Sequence, residues 1–127
     1  MYQKVLVDRE FEDGQRLLDA LPSFFRVISA FWLYFDEANE WRLVLISPVV
    51  NEKGVRFAYQ VIEQVLADNQ IPIPLENVSV LSRNDLRYKQ VLQAATGTPS
   101  GLTVAPARAS SPPTAADAYL YFLNAAA

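Results

Sequence analysis

The sequence predicts an α+β fold in which a mixed, mostly antiparallel sheet of about four to five strands carries about three helices. The first observation is a pair of strongly apolar runs, residues 30–35 and 41–47, separated by a polar segment of hairpin length. The second is the helical spacing of apolar residues in two other segments, 9–21 and 54–68. The element order that follows is α-β-β-α-β-α-(β)-β.

Both strands of the predicted hairpin are apolar on both faces. We expect the first strand to run from about Phe25 to Phe35 and its partner from Trp41 to Ser47. A hairpin with one wet face would carry a polar residue at every second position, and this one does not. We therefore expect both strands in the interior of the sheet, with cover on each face.

The first two helices have clear start and stop signals. Asp8 is a candidate N-cap for a helix over about 9–21, which Pro22 ends. The second helix is expected over about 54–68, after a loop at 51–54. Each presents one apolar stripe to the sheet.

The third helix is expected over about 85–95, with Asn84 or Ser82 as its N-cap. It follows an extended connector, 71–74, whose two prolines push their predecessors out of the helical region. The residues expected to face inward are Leu86, Val91, Leu92 and Ala95.

The remaining strands are shorter, and the chain is predicted to form a single domain. Residues 78–82 predict a third strand and residues 118–123 a last one. Between them, about 97–116 is rich in Pro, Ala, Ser, Thr and Gly, which is typical of a tether, with a short strand at 102–104. Residues 1–7 fit either a strand or a helical lead-in.

Composition narrows the chemistry of the protein. The 127 residues include no cysteine and no histidine, and the net charge is −3. Disulfides, thiolate and imidazole metal ligands and histidine-dependent catalysis are therefore excluded, and no cofactor is expected. The acidic balance disfavours nucleic acid as a partner. Without a signal-peptide pattern or a membrane-length apolar run, we expect a cytoplasmic protein with no membrane partner.

Two groups of basic residues are candidate contacts for an anion or a partner. The first lies where a loop enters the second helix and consists of Lys53 and Arg56, together with Gly54 of the same loop. A plain strand-to-helix connection is the competing interpretation. The second lies near the third helix and consists of Arg83, Arg87 and Lys89. Nucleic-acid contact competes there with a solvated charged face.

The hairpin turn gathers polar residues that a hard metal ion would accept. They are Asp36, Glu37, Asn39 and Glu40. A weak calcium or magnesium site is one interpretation. A solvated turn needs the same residue types, and the spacing and glycine of an EF-hand are missing.

Aromatic residues on the predicted strands also allow two interpretations. Trp32, Tyr34 and Trp41 are either a stacking platform for bases or sugars, or core and interface residues. Tyr119 and Tyr121 in the last strand are expected to be core or interface residues.

The central part of the chain resembles a group of short uncharacterised bacterial proteins. The matching segments are Ala30–Tyr34, Trp41–Pro48 and Glu52–Gly54, followed by Ala58-Tyr59. These give an AFWLY strand, a WRLVLISP strand and a helix opened by EKG. The resemblance implies a bacterial protein and no particular activity, because no catalytic residue is assigned in that group.

The first functional interpretation is a non-catalytic interaction protein that self-associates as a homodimer. Three helices cover about one face of such a sheet, so the other face, or an edge near 119–123, is expected to need a partner. The first alternative is a nucleic-acid or nucleotide-binding accessory that uses either basic group. The second is a carboxylate-metal hydrolase, which ranks below the binding hypotheses because histidine and cysteine are both absent.

Overall fold

A computed structural model describes residues 8–97, 102–107 and 116–123. Within these ranges, five strands form one mixed sheet that packs against four α-helices, which confirms the predicted α+β class. No helix in the described ranges has both the length and the apolar character needed to span a bilayer. The expectations for residues 1–7, and for 98–101 and 108–115 of the tether, lie outside the described residues.

The elements alternate along the chain in the predicted order, with one additional helix. The helices are α1 (Asp8–Ala20), α2 (Val49–Lys53), α3 (Val55–Asp68) and α4 (Leu86–Ala95). The strands are β1 (Ser29–Phe35), β2 (Glu40–Ile46), β3 (Val78–Leu81), β4 (Val104–Pro106) and β5 (Ala118–Phe122). A 3₁₀ turn at Leu75–Asn77 leads directly into β3.

The strands follow one another across the sheet in the order β3-β2-β1-β5-β4. β1 pairs antiparallel with β2 and with β5, whereas β2–β3 and β4–β5 are parallel pairs. The sheet is therefore evenly mixed rather than mostly antiparallel. The hairpin strands are interior, as predicted. The expected free edge near 119–123 is wrong for Tyr119 and Leu120, because β4 pairs with them.

Helices cover both faces of this sheet. On the first face, α1 and α3 pack over a core that includes Trp32, Leu43 and Leu45. On the second face, α4 packs over a core that includes Phe31 and Val44. The expectation of an uncovered second face is therefore wrong for the described residues.

One helix is enough for the second face because aromatic and charged side chains extend its cover. The Tyr88 ring stacks on Phe31 at 6.3 Å between centroids, and its hydroxyl lies 2.7 Å from the Ser29 Oγ. At the hairpin end, the guanidinium groups of Arg42 and Arg87 lie 4.6 and 4.7 Å from the Phe35 ring centroid. Cation–π contacts therefore take the place of further apolar cover there.

The first strand is shorter than the sequence suggested. The Phe25 N–H donates to the Pro22 carbonyl at 2.9 Å, so Phe25 closes a turn instead of beginning the strand. The chain reaches the sheet only at Ile28, whose N–H donates to the Ile46 carbonyl at 2.7 Å. A proline also explains the additional helix: Pro48 has a helical φ of −69° and starts α2, where we expected a loop.

The N-cap of α4 is Asp85, not Asn84 or Ser82. The Asp85 Oδ1 accepts the Arg87 N–H at 2.8 Å, which satisfies one of the free N–H groups at the start of the helix. The helix buries Tyr88 and Val91, whereas Leu86 in the first turn is 68% exposed. Leu86 and Ala95 are therefore not inward-facing as predicted.

A tyrosine hydroxyl and a proline reduce the number of free backbone N–H groups on the two outer strands of the sheet. At β3, the Val80 N–H donates to the Tyr59 hydroxyl at 2.9 Å. At β4, the Thr103 carbonyl and the Ala107 N–H bond to β5. The alternation of a strand then leaves Pro106, which has no N–H, facing outward.

Candidate ligand-binding cleft

A cleft of about 310 Å³ lies on the first face, between α1, the β1–β2 hairpin and the segment that leads into β3. This volume is at the lower end of those found for small-molecule sites, which begin near about 300 Å³. Carboxylates, side-chain amides and an apolar wall line it. The lining residues are Glu10, Asp13, Trp32, Asn39, Glu40, Trp41, Pro72, Ile73, Pro74 and Asn77.

A glycine brings α1 close to the sheet beside this cleft. A Cβ at Gly14 would overlap the hydroxyl oxygen of Tyr121 and lie 3.1 Å from the Trp32 Nε1. The Trp32 Nε1–H donates to that hydroxyl at 3.0 Å, and the hydroxyl donates to the Phe11 carbonyl at 2.6 Å. Burial raises the pKa of Tyr121 far above its ordinary value, so the phenol remains a donor.

Asp13 is the acid that this approach buries. It is only 8% exposed, and it lies one helical turn before the fully buried Leu17. Its Oδ1 lies 3.5 Å from the Arg16 Nη1, which is a long ion pair. The Nη2 of the same arginine donates to the Asn69 carbonyl at 2.7 Å. The charge of Asp13 is therefore only loosely matched by this arginine.

The hairpin supplies an indole and a third acidic residue. The Trp41 ring packs against Tyr34 and Tyr119, with 5.4 Å between centroids in each pair. The neighbouring Glu40 accepts a hydrogen bond from the Arg42 Nε at 2.7 Å, so a cation already compensates its charge. Asn39 has a φ of 51°, a left-handed conformation that asparagine tolerates well.

The third wall is the extended segment 72–74, with Asn77 from the turn that follows it. The Asn77 Nδ2–H donates to the Trp41 carbonyl at 3.0 Å. This hydrogen bond ties the third wall to β2. The walls of the cleft are therefore held in place by the fold itself.

The two basic groups lie on opposite faces of the sheet, and neither lines the cleft. Lys53, Gly54 and Arg56 are exposed at the junction of α2 and α3, on the first face. Gly54 has a φ of 89°, which explains the glycine without a ligand. Arg83, Arg87 and Lys89 are also exposed, on the α4 side.

Arg87 is already engaged within the protein. Its Nη2 donates to the Glu37 Oε1 at 2.6 Å, and the guanidinium covers Phe35. The pKa of Glu37 lies below its ordinary value. The largest cause is a hydrogen bond from the backbone N–H of Glu37 itself, and the next is the hydrogen bond from Arg87. The structure therefore gives no support to a joint anion site of Arg87 with Lys53 or Arg56.

The acids of the hairpin turn are divided rather than gathered. Asn39 and Glu40 border the cleft, whereas Glu37 turns to Arg87. In the part of the chain that the structure describes, no three acidic side chains are arranged to hold a metal ion. The carboxylate-metal hydrolase therefore has no structural support.

The candidate aromatic residues all lie on the first face. Trp32 is 2% exposed and Trp41 and Tyr119 are also buried, while Tyr34 and Tyr121 are partly buried against the same core. The two tryptophans also border the cleft. The two tryptophans are thus core residues, and neither forms an open stacking platform.

Sequence reasoning missed most of the cleft. Glu10 and Asp13 lie near the predicted start of the first helix, where acids are usually solvated, and residues 72–74 fall in the predicted connector. One signal was present: Asp13 lies four residues before Leu17, so it shares the buried side of the helix. The segment 72–77 carried no comparable signal, because nothing local shows where an extended connector packs.

Comparison of the chain with protein-family models, curated proteins and solved structures gives no match in any of the three.

Proposed function

We propose that this chain is a non-catalytic binding protein that takes a small organic ligand in the cleft between α1, the hairpin and residues 72–77. The observation that carries this proposal is the cleft itself, which combines a buried acid with two indole walls. Concave, largely preformed pockets with a few polar groups are the usual form of a small-molecule site. The chain has no histidine and no cysteine, which excludes imidazole and thiolate chemistry on such a ligand.

Nuclear magnetic resonance titration with a library of small cationic, neutral and anionic compounds tests the proposal. The reporters are the indole N–H signals of Trp32 and Trp41 and the side-chain amide signals of Asn77. We expect at least one compound to shift these signals in a saturable way. Backbone amides of α4, across the sheet, serve as the internal control and should not move.

Two results would contradict this proposal. The first is a library in which no compound of any charge shifts the reporter signals. The second is a set of shifts that involves α4 as strongly as the cleft, since this would indicate a general rather than a local response.

Self-association as a homodimer stays a prediction, and with it a bacterial origin and a cytoplasmic location. The uncovered face and the free edge no longer argue for a dimer. Its remaining support is a set of large apolar side chains that are exposed in the described chain. They are Phe24, Val55, Leu86 and Phe122. Exposed apolar surface of this kind is common at interfaces when it is contiguous.

A further inference from the structure

We propose that the ligand of the cleft is a small organic cation, an ammonium or guanidinium group on a compact carbon body. The inference rests on the proposed function, because it specifies the ligand of the same cleft. It follows from three separate observations: the charge of the lining, the state of Asp13 and the nature of the walls.

Among the described residues that line the cleft, the ionisable carboxyl or basic residues are all acidic: Glu10 and Asp13 from α1, and Glu40 from the hairpin. The Glu40 carboxylate is bonded to Arg42, whose guanidinium lies over Phe35 in the core of the second face. A cleft lined by one sign of charge raises the local concentration of the opposite sign. Glu40 is closely paired with Arg42, so we assign the leading role to an acid on α1.

The second observation is the burial of the Asp13 side chain. The Asp13 side chain is 12% exposed and has therefore lost much of its hydration, and such a loss is costly unless a cation or hydrogen bonds replace it. Its ion pair with Arg16 is 3.5 Å long, and Arg16 is half exposed and bonded to the Asn69 carbonyl. A ligand cation in the cleft would therefore complete the compensation of Asp13.

The walls supply the third observation. Trp32 and Trp41 both border the cleft, but they are only 2% and 5% exposed, so their rings present little surface to a ligand. The Trp32 N–H is already donated to Tyr121. This wall therefore offers the ligand apolar contact rather than a hydrogen-bond donor, which accommodates the carbon body of an organic cation and does not suit a carboxylate or phosphate.

Paired ligands of the same shape test the charge. Choline carries a quaternary ammonium, and 3,3-dimethyl-1-butanol is its neutral carbon analogue; agmatine adds a guanidinium. We expect choline or agmatine to shift the Trp32 and Trp41 indole signals and to bind about tenfold or more tightly than the neutral alcohol, because only the cations are attracted by the charge of the carboxylates. Higher salt should weaken this binding.

Matched variants test the role of Asp13. Asp13→Asn keeps the shape and removes the charge, and we expect it to weaken binding of the cation about tenfold. Glu12→Gln makes the same charge change at the adjacent, exposed position outside the cleft and should leave the affinity unchanged. If Asp13→Asn fails to fold in a thermal melt, Glu10→Gln takes its place at a partly exposed position of the same wall.

The outcomes separate this inference from the proposed function. If choline and its neutral analogue bind equally well, the proposal of a cationic ligand is overturned and the proposal of a binding cleft stands. The same holds if the library contains neutral ligands of the cleft and no cationic one. A library without any ligand would overturn both. Cation binding that survives both Asp13→Asn and Glu10→Gln would overturn the assignment of the α1 acids.

Discussion

Gly14 is the residue on which the packing of α1 depends. Its missing side chain leaves space for the Tyr121 hydroxyl, which the Trp32 indole and the Phe11 carbonyl hold from two sides. Alanine would favour the helix by about 1 kcal/mol. It would also displace a buried hydroxyl from its hydrogen bonds, at a cost of about 1–3 kcal/mol, together with the strain of overpacking.

We therefore expect Gly14→Ala to lower the free energy of unfolding by about 1–2 kcal/mol, measured by denaturant titration. The loss should shrink when Tyr121→Phe removes the hydroxyl that the new Cβ meets. The coupling between the two changes, obtained from the double-mutant cycle, isolates this contact. A Gly14→Ala variant more stable than the natural protein would show that α1 can move away at little cost.

The residue scale is also where the sequence was least informative about the cleft. The burial of Trp32 and Trp41 was predictable, because apolar residues occupy both faces of their strands. The burial of Asp13 was indicated only by its position four residues before Leu17, and an acid near a helix start is usually solvated. Its position depends on Gly14 and Tyr121, which are far apart in sequence and meet only in the folded chain.

At the scale of elements, α4 alone covers the second face in the described chain, so its start is important for stability. We expect Asp85→Ala to lower the free energy of unfolding by about 0.5–2 kcal/mol, because the Arg87 N–H loses its acceptor. Asn84→Ala, at the adjacent exposed position, is the matched control and should change stability by less than about 0.5 kcal/mol. Equal losses in both would mean that Asp85 does not act as a cap.

The ion pair between the hairpin turn and α4 predicts a pH dependence. The pKa of Glu37 is lower in the folded protein than its ordinary value of 4.5. A carboxyl of this kind stabilises the fold above its unfolded-state pKa, and the contribution disappears as the pH falls through the folded-state pKa. The stability advantage of the natural protein over Glu37→Gln should therefore shrink as the pH falls below about 4.5.

Thermal melts over this pH range measure the difference. The effect should be small because the pair is exposed. Glu52→Gln, an exposed acid of α2, is the control and should not reproduce it. Identical pH profiles for the natural protein and Glu37→Gln would show that the contact with Arg87 contributes nothing to stability.

Elements were predicted well where periodicity is strong and poorly where proline sets the backbone. The interior hairpin followed from its two-sided apolar pattern, and α1 and α3 followed from their stripes. The turn after Pro22 and the helix after Pro48 did not, because local hydrogen bonding there overrides apolar composition. The strand Val104–Pro106 falls within the predicted tether, two residues later than expected.

For the whole molecule, the mass in solution decides the homodimer. Light scattering at micromolar concentration should give twice 14.3 kDa if the dimer forms. In that case the two variants Leu86→Ser and Phe24→Ser, at separate exposed apolar sites, locate the interface. The variant that returns the mass to that of a monomer carries its substitution in the shared surface. A mass of 14.3 kDa would contradict the dimer and leave the cleft proposal untouched.

The bonded N–H group of β3 and the proline of β4 have a consequence for the protein at high concentration. Fibrils grow when an incoming chain pairs in register with the outward N–H groups of an exposed strand. At β3 the incoming chain would meet a Val80 N–H that Tyr59 already holds, and at β4 it would meet Pro106, which has none to offer. Among the described residues, these two features weaken the template that the outer strands offer to a neighbouring chain, although the central strands carry the apolar, β-branched composition from which amyloid is readily built.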